Sequence, residues 1–205
     1  MSRFHLGLLA IVATVIAWSG WQPHDYFTWW LEVSPALVAL VLLCVTYRRF
    51  PLTNLAYILI ALHICVLCVG GHYTYARVPV FDWLRPVFGW ERNHYDRLGH
   101  LMQGFVPAVI AREFLLRLDV LKRRRWLAFV VISICLAISA FYELIEWWAA
   151  MISGGAANDF LGTQGDVWDT QIDMCLALAG ACAALLFLSR MHDRSLETLR
   201  QRQPT

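Results

Sequence analysis

"GDVWDTQID", residues 165–173, runs directly into "MCLALAGACAALLFLS", residues 174–189. Three aspartates, Asp166, Asp169 and Asp173, stand at the mouth of a stretch apolar enough to cross a bilayer. An unpaired carboxylate at membrane depth is costly, so such a residue implies a partner or a wet cavity. This junction reads as the start of a membrane helix whose first turns carry acid.

The rest of the chain agrees. Of its 205 residues 59% are hydrophobic and 16% charged, against about a quarter charged in a soluble domain. The charges are clumped: Phe4–His24 and Phe50–Ala76 carry none, and Val33–Tyr47, Leu98–Ala111, Trp126–Tyr142 and Met174–Ser189 are shorter uncharged runs. A span needs roughly 20 mainly apolar residues. The pattern predicts an all-α, polytopic integral membrane protein: one domain over residues 1–205 with six helices at about 4–21, 29–47, 54–72, 96–116, 126–148 and 168–190. The first span reads as uncleaved, because no small-x-small cleavage site follows it and Trp18 and Trp21 suit an interface.

Twelve of the 17 basic residues fall in alternate loops: Arg3, Arg48, Arg49, Arg117, Lys122–Arg125, Arg190, Arg194, Arg200 and Arg202. The positive-inside rule then puts both termini in the cytoplasm, with the 72–97 and 150–168 connections outside. The aromatic stretch "VFDWLRPVFGW" (80–90) is expected on the membrane surface or folded back as a lid. The net charge of +2 gives no sign of nucleic-acid binding; membrane lipids are the expected partners, with the 122–125 run touching anionic headgroups. All six cysteines lie in apolar runs, and Cys65 and Cys68 read as small filler.

With this orientation the polar residues of several spans share one leaflet. Glu143 lies about 26 Å along its helix from Trp126, near the outer edge of the core, with Glu146 a turn further out on the same face. Asp96, His100 and Gln103 recur at helical spacing, with His94 just before them. Asp166 as a helix cap and Asp169 in a capping box account for two of the three aspartates without function. Asp173, Glu143 and His100 escape that explanation, leaving a helix-gluing network as the structural alternative.

"FYELIEWW" (141–148) and "GTQGDVWDTQID" (162–173) resemble the YjdF-type family of bacterial inner-membrane proteins, as do "FTWWLEVSP" (27–35), "GGHYTYA" (70–76) and "RNHYDRLGH" (92–100). The resemblance covers the whole chain and implies a multi-pass protein of the bacterial cytoplasmic membrane, without supplying a reaction. A fainter similarity links it to VanZ-like membrane proteins.

The residues themselves suggest a site at the outer leaflet. Glu143, Glu146, Asp166, Asp169, Asp173 and His100 form an oxygen-rich set suited to a divalent cation. His100, Glu143 and Asp173 are the candidate catalytic groups, with Asp96 orienting the His100 ring. Arg92, His94 and Arg97 are the candidates for holding an anionic headgroup. The expected chemistry is metal-assisted hydrolysis or transfer on a lipid or lipid-linked substrate. A proton- or cation-coupled transporter and a non-catalytic assembly protein are the alternatives.

Overall fold

The computed structural model describes residues 2–153 and 163–202. Among them there are seven α-helices and no strand: α1 (Arg3–Ser19), α2 (Tyr26–Thr46), α3 (Asn54–Tyr73), α4 (Pro79–Phe88), α5 (Tyr95–Arg117), α6 (Leu127–Ser153) and α7 (Asp169–Arg202). Each of the six expected segments is a helix. Residues 154–162, part of the 150–168 connection, lie outside the described residues.

Four stretches are long and apolar enough to cross a membrane: Tyr26–Thr46, Asn54–Tyr73, Arg124–Ile152 and Asp169–Gln201. α1 is apolar but has only 17 residues. α5 has the length, but Asp96, Arg97, Arg112, Glu113 and Arg117 dilute its hydropathy. Large apolar side chains face outward along these helices, among them Val45, Phe129, Ile138, Leu186 and Phe187. Such exposure suits a lipid solvent.

Two features depart from the expected boundaries. The surface stretch is a ten-residue helix, α4, opened by Pro79 and closed by Gly89 in the left-handed conformation, where the Trp90 amide bonds the Arg85 carbonyl at 2.9 Å. Val80, Trp83 and Val87 lie exposed along it. α7 continues twelve residues beyond the expected end at Arg190, because His192 and Leu196 are buried against the bundle.

The α5–α7 pair is the tightest contact in the bundle. A Cβ on Gly104 would collide with the Ala177 carbonyl, and one on Gly180 with the Leu101 carbonyl. Ala177, Ala181 and Ala184 are fully buried on the same stripe of α7. Small residues at helical spacing let two backbones touch, the usual solution in lipid. α3 packs against α1, α2 and α5, whereas α2 rests chiefly on α3 and meets α5 and α6 only sparsely. Pro35 interrupts the hydrogen bonds of α2, and the Ser34 hydroxyl bonds the Leu31 carbonyl at 3.2 Å in compensation.

A buried polar hub holds α3, α5 and α7 together at the end opposite the aspartates. The Glu113 carboxylate accepts from the Thr53 amide (2.9 Å), the Thr53 hydroxyl (2.7 Å), Arg117 (2.9 Å) and His192 Nε2 (3.1 Å). Arg112 donates to His192 Nδ1 at 3.0 Å and to Asp193 at 2.8 Å. Arginine only donates, so His192 must accept at Nδ1 and carry its proton on Nε2. Arg112 and Glu113, adjacent on α5, thus both reach across to α7, where His192 meets each of them.

Candidate functional site

The α5–α7 contact determines what faces what at the aspartate end. Asp173, Ala177 and Ala181 fall at i, i+4 and i+8 on α7, so the stripe that packs on Gly104 also aims Asp173 at α5. On α5, Asp96, His100 and Gly104 repeat the same interval. His100 is thereby held between α6 and α7. Its Nε2 lies 3.5 Å from Asp96 Oδ1 and 4.0 Å from Asp173 Oδ2, and its Nδ1 lies 3.7 Å from Glu143 Oε1. All four side chains are about nine-tenths buried.

Two overlapping groups have ligand atoms within 4.8 Å of one another: Asp96, His100 and Asp173, and His100, Glu143 and Glu146. His100 Nδ1 also meets Gln103 Oε1 at 3.2 Å. A carbonyl oxygen only accepts, so Nδ1 carries a proton there and Nε2 faces the two aspartates. A lone pair on Nε2 and the carboxylates repel unless a proton or cation stands between them. Glu143 Oε1 and Asp173 Oδ1 are buried without a hydrogen-bond partner among the described residues. The donor set is thus one imidazole, ring-oriented by an amide, plus carboxylates with unused oxygens, which fits a divalent cation.

Asp166 and Asp169 stand apart from this cluster. Arg92 is ion-paired with Asp169, with Asp166 at 3.5 Å and with Asp96 at 3.7 Å. Arg97 binds Asp166 at 2.8 Å. Asp166 also accepts from the Trp168 amide at 3.0 Å, an Asx-type turn just ahead of the helix start at Asp169. His94 stands edge-on to Trp90 at 4.8 Å. Burial, then Arg97 and Arg92, hold its imidazole below the ordinary histidine value. Of the nine residues named from sequence, His100, Glu143, Glu146 and Asp173 meet in the cluster, and Arg92, His94, Arg97, Asp166 and Asp169 form its rim.

Three contributors were missed or undervalued. Glu32 is buried on α2 and accepts from the Tyr142 hydroxyl at 3.1 Å. Tyr142 sits one residue before Glu143, inside a motif already singled out, but aromatics abound in this chain and gave no signal. Tyr75 enters because Thr74, at φ 58°, turns the chain after α3. Its ring fills space beside Gly70 and Gly99, where a Cβ on either would collide with it. Burial and the nearby Glu32 push the Tyr75 phenol well above its ordinary value, so it stays a neutral O–H group.

These groups close one end of a slot of about 550 Å³. α3 is its floor, α2 one wall, α5 and α6 the other. Glu32, Tyr75, Asp96, His100, Tyr142 and Glu146 line the polar end; Leu42, Phe50 and Phe114 line the far end. Leu42 is 58% and Ile138 42% exposed, so the slot opens sideways between α2 and its neighbours, where lipid would stand.

An all-helical bundle with lipid-length apolar helices and buried acids at one end is an integral membrane protein. The chain belongs to the family described as "Predicted membrane protein (DUF2238)", which matches residues 4–194. It is also 52% identical over 182 residues, 89% of this chain and 87% of the other, to "Inner membrane protein YjdF" of Escherichia coli (strain K12). Family and helices together support the bacterial inner membrane as its setting. The fainter likeness to VanZ-like proteins finds no counterpart in these matches, and no solved structure matches the chain significantly.

Proposed function

We propose that residues 1–205 form one membrane domain in which α1, α2, α3, α5, α6 and α7 cross the inner membrane, with both termini in the cytoplasm. In this arrangement α4 lies on the periplasmic surface and the His100 cluster is a divalent-cation site in the periplasmic leaflet. Its chemistry is metal-assisted hydrolysis of, or transfer to, a lipid or lipid-linked substrate. The basic residues gathered in alternate loops and the exposed apolar face of α4 support the topology.

One observation carries the chemical reading. His100 Nε2 faces Asp96 and Asp173 at the closed end of a slot open to lipid, and oxygens of Asp173 and Glu143 with no hydrogen-bond partner among the described residues are buried beside it. Asp96, His100 and Asp173 hold the cation, and Gln103 fixes the ring of His100. A cation bound there would polarise a phosphoryl or ester oxygen. Glu143, 3.7 Å from His100 Nδ1, would take a proton from an attacking water. Arg92 keeps Asp96 and Asp169 in position, while Arg97 and His94 are the rim groups that would meet a headgroup.

Purified protein in lipid nanodiscs, analysed for bound metal after dialysis against each of several divalent cations, tests this. About one equivalent should be retained, and His100→Ala or Asp173→Asn should weaken retention about tenfold or more at unchanged folded yield. Metal kept in both variants, or none retained by the parent, overturns the reading. Cation flux into proteoliposomes that Glu143→Gln abolishes would move the cluster to coupled transport.

A further inference from the structure

His63 has no part in the cluster, yet it lines the same slot from the middle of α3. Its Nε2 is buried and has no hydrogen-bond partner among the described residues. A bare imidazole nitrogen in an apolar wall costs free energy unless something pairs with it. Nothing in the metal reading uses it, because it lies deeper than the acids. The register of α3 against α5 gives the depth: Thr53 bonds Glu113 at one end, and the Tyr95 hydroxyl bonds the Val66 carbonyl (2.9 Å) at the other. His63 stands at the middle of α3 and His100 in the second turn of α5, so His63 lies deeper than the cluster.

The polar groups of the slot are therefore layered. At the top stand three carboxylates, Glu32, Asp96 and Glu146, together with His100, and no lysine or arginine lines the slot among the described residues. Lower come His63 and Gln103, the latter with its amide oxygen already against His100 Nδ1. Below them the lining is apolar to Phe50 and Phe114, apart from Thr46, whose hydroxyl is spent on the Leu42 carbonyl at 2.7 Å. From Glu32 to Thr46 along α2 the slot runs about 21 Å, more than one leaflet of a ~30 Å core.

We infer that the occupant is a diacyl glycerophospholipid with an amine-bearing headgroup, of the phosphatidylethanolamine kind, whose ester carbonyl accepts a hydrogen bond from His63. This rests on the lipid-substrate reading above and names the class of lipid. Ester carbonyls sit one glycerol unit below the phosphate, the layer at which His63 stands beneath the cluster. A polyprenyl phosphate has no polar atom there and would leave His63 unpaired. The headgroup ammonium answers Glu32 and Glu146, the lining carboxylates that are not cation ligands in the reading above, whereas a purely anionic headgroup would find no cationic partner in the lining. The acyl chain fills the apolar length of the slot and exits between Leu42 and Ile138.

Native mass spectrometry of the detergent-purified full chain, titrated with defined lipids, tests the assignment. The probes are diester phosphatidylethanolamine, its diether analogue without carbonyls, diester phosphatidylglycerol and a polyprenyl phosphate. The parent should retain the diester amine lipid over the diether by about three- to tenfold, the ratio one hydrogen bond supplies. It should also favour it over phosphatidylglycerol and polyprenyl phosphate. His63→Leu should erase the ester-over-ether gap and keep the headgroup preference; Glu146→Gln should narrow the headgroup preference and keep the ester gap. Equal retention of diester and diether by the parent, or of the amine and glycerol headgroups, overturns the inference without needing any variant to fold. Metal content of the same samples separates the two readings. A chain that selects the ester amine lipid but holds no cation refutes the enzymatic site and leaves this one standing, and a metal-loaded chain indifferent to lipid does the reverse.

Discussion

Asn93 and Gln164 clasp each other through two hydrogen bonds: Gln164 Oε1 accepts from the Asn93 amide at 2.9 Å, and Gln164 Nε2 donates to the Asn93 carbonyl at 2.9 Å. With the Arg97–Asp166 pair at 2.8 Å, this clasp fastens the connection before α5 to the connection before α7. In the proposed topology both emerge on one face of the bilayer. Cysteines introduced at Val87 and Val167, both exposed, should be labelled together by a membrane-impermeant maleimide added outside spheroplasts. A cysteine at Arg124 should be labelled only after lysis. Labels on Val87 and Val167 from opposite sides would exclude the proposed topology.

The α5–α7 seam has no room for a methyl group at Gly104. Gly104→Ala should push the helices apart and cost about 1–3 kcal/mol, read as a lower thermal midpoint in detergent. Gly7→Ala, whose added Cβ would meet nothing, should leave the midpoint unmoved. Equal behaviour of the two variants would refute the close approach.

Glu113 is fully buried and answers four donors, so its removal takes the carboxylate partner from Arg117 and leaves the buried His192 Nε2 without its acceptor. Glu113→Ala should destabilise the fold by about 3–5 kcal/mol, the range for breaking a buried ion pair from one side. Unfolding titrations in mixed micelles would measure it. A change below about 1 kcal/mol would reduce the hub to the worth of a solvent-exposed ion pair.

His94 titrates below its ordinary value because of burial and the two arginines beside it. As pH falls, the unfolded chain takes up this proton before the folded one does. The stability it contributes is present above the ordinary histidine range and is lost as pH drops from that range toward the depressed folded value. Arg97→Gln should raise the His94 titration midpoint seen by carbon-13 NMR of the imidazole; a lower or unchanged midpoint would refute the electrostatic cause.

Sequence alone reached the six helical segments because lipid imposes long uncharged runs, and such runs survive without any knowledge of tertiary contacts. His100, Glu143, Glu146 and Asp173 were legible for the same reason: ionisable residues stand out inside apolar segments. Asp166 and Asp169 were equally conspicuous, but only the fold shows that Arg92 and Arg97 occupy them. Composition cannot tell an acid beside an arginine from an acid beside a histidine when all come from different helices. Tyr75, Tyr142, His63 and His192 gave no usable signal, since a tyrosine or histidine in an aromatic-rich membrane chain is as easily filler.

What the sequence determined by itself is a chain of lipid-soluble helices with acid concentrated toward one end, since one-dimensional hydropathy and charge record the demands of the bilayer. What the tertiary structure decided is the partners: Asp173 faces His100 because glycines at 104 and 180 let two backbones meet, and His63 faces a slot because α2 stands off from α5 and α6. Those outcomes depend on interhelical distance, a quantity that no periodicity along a single helix encodes.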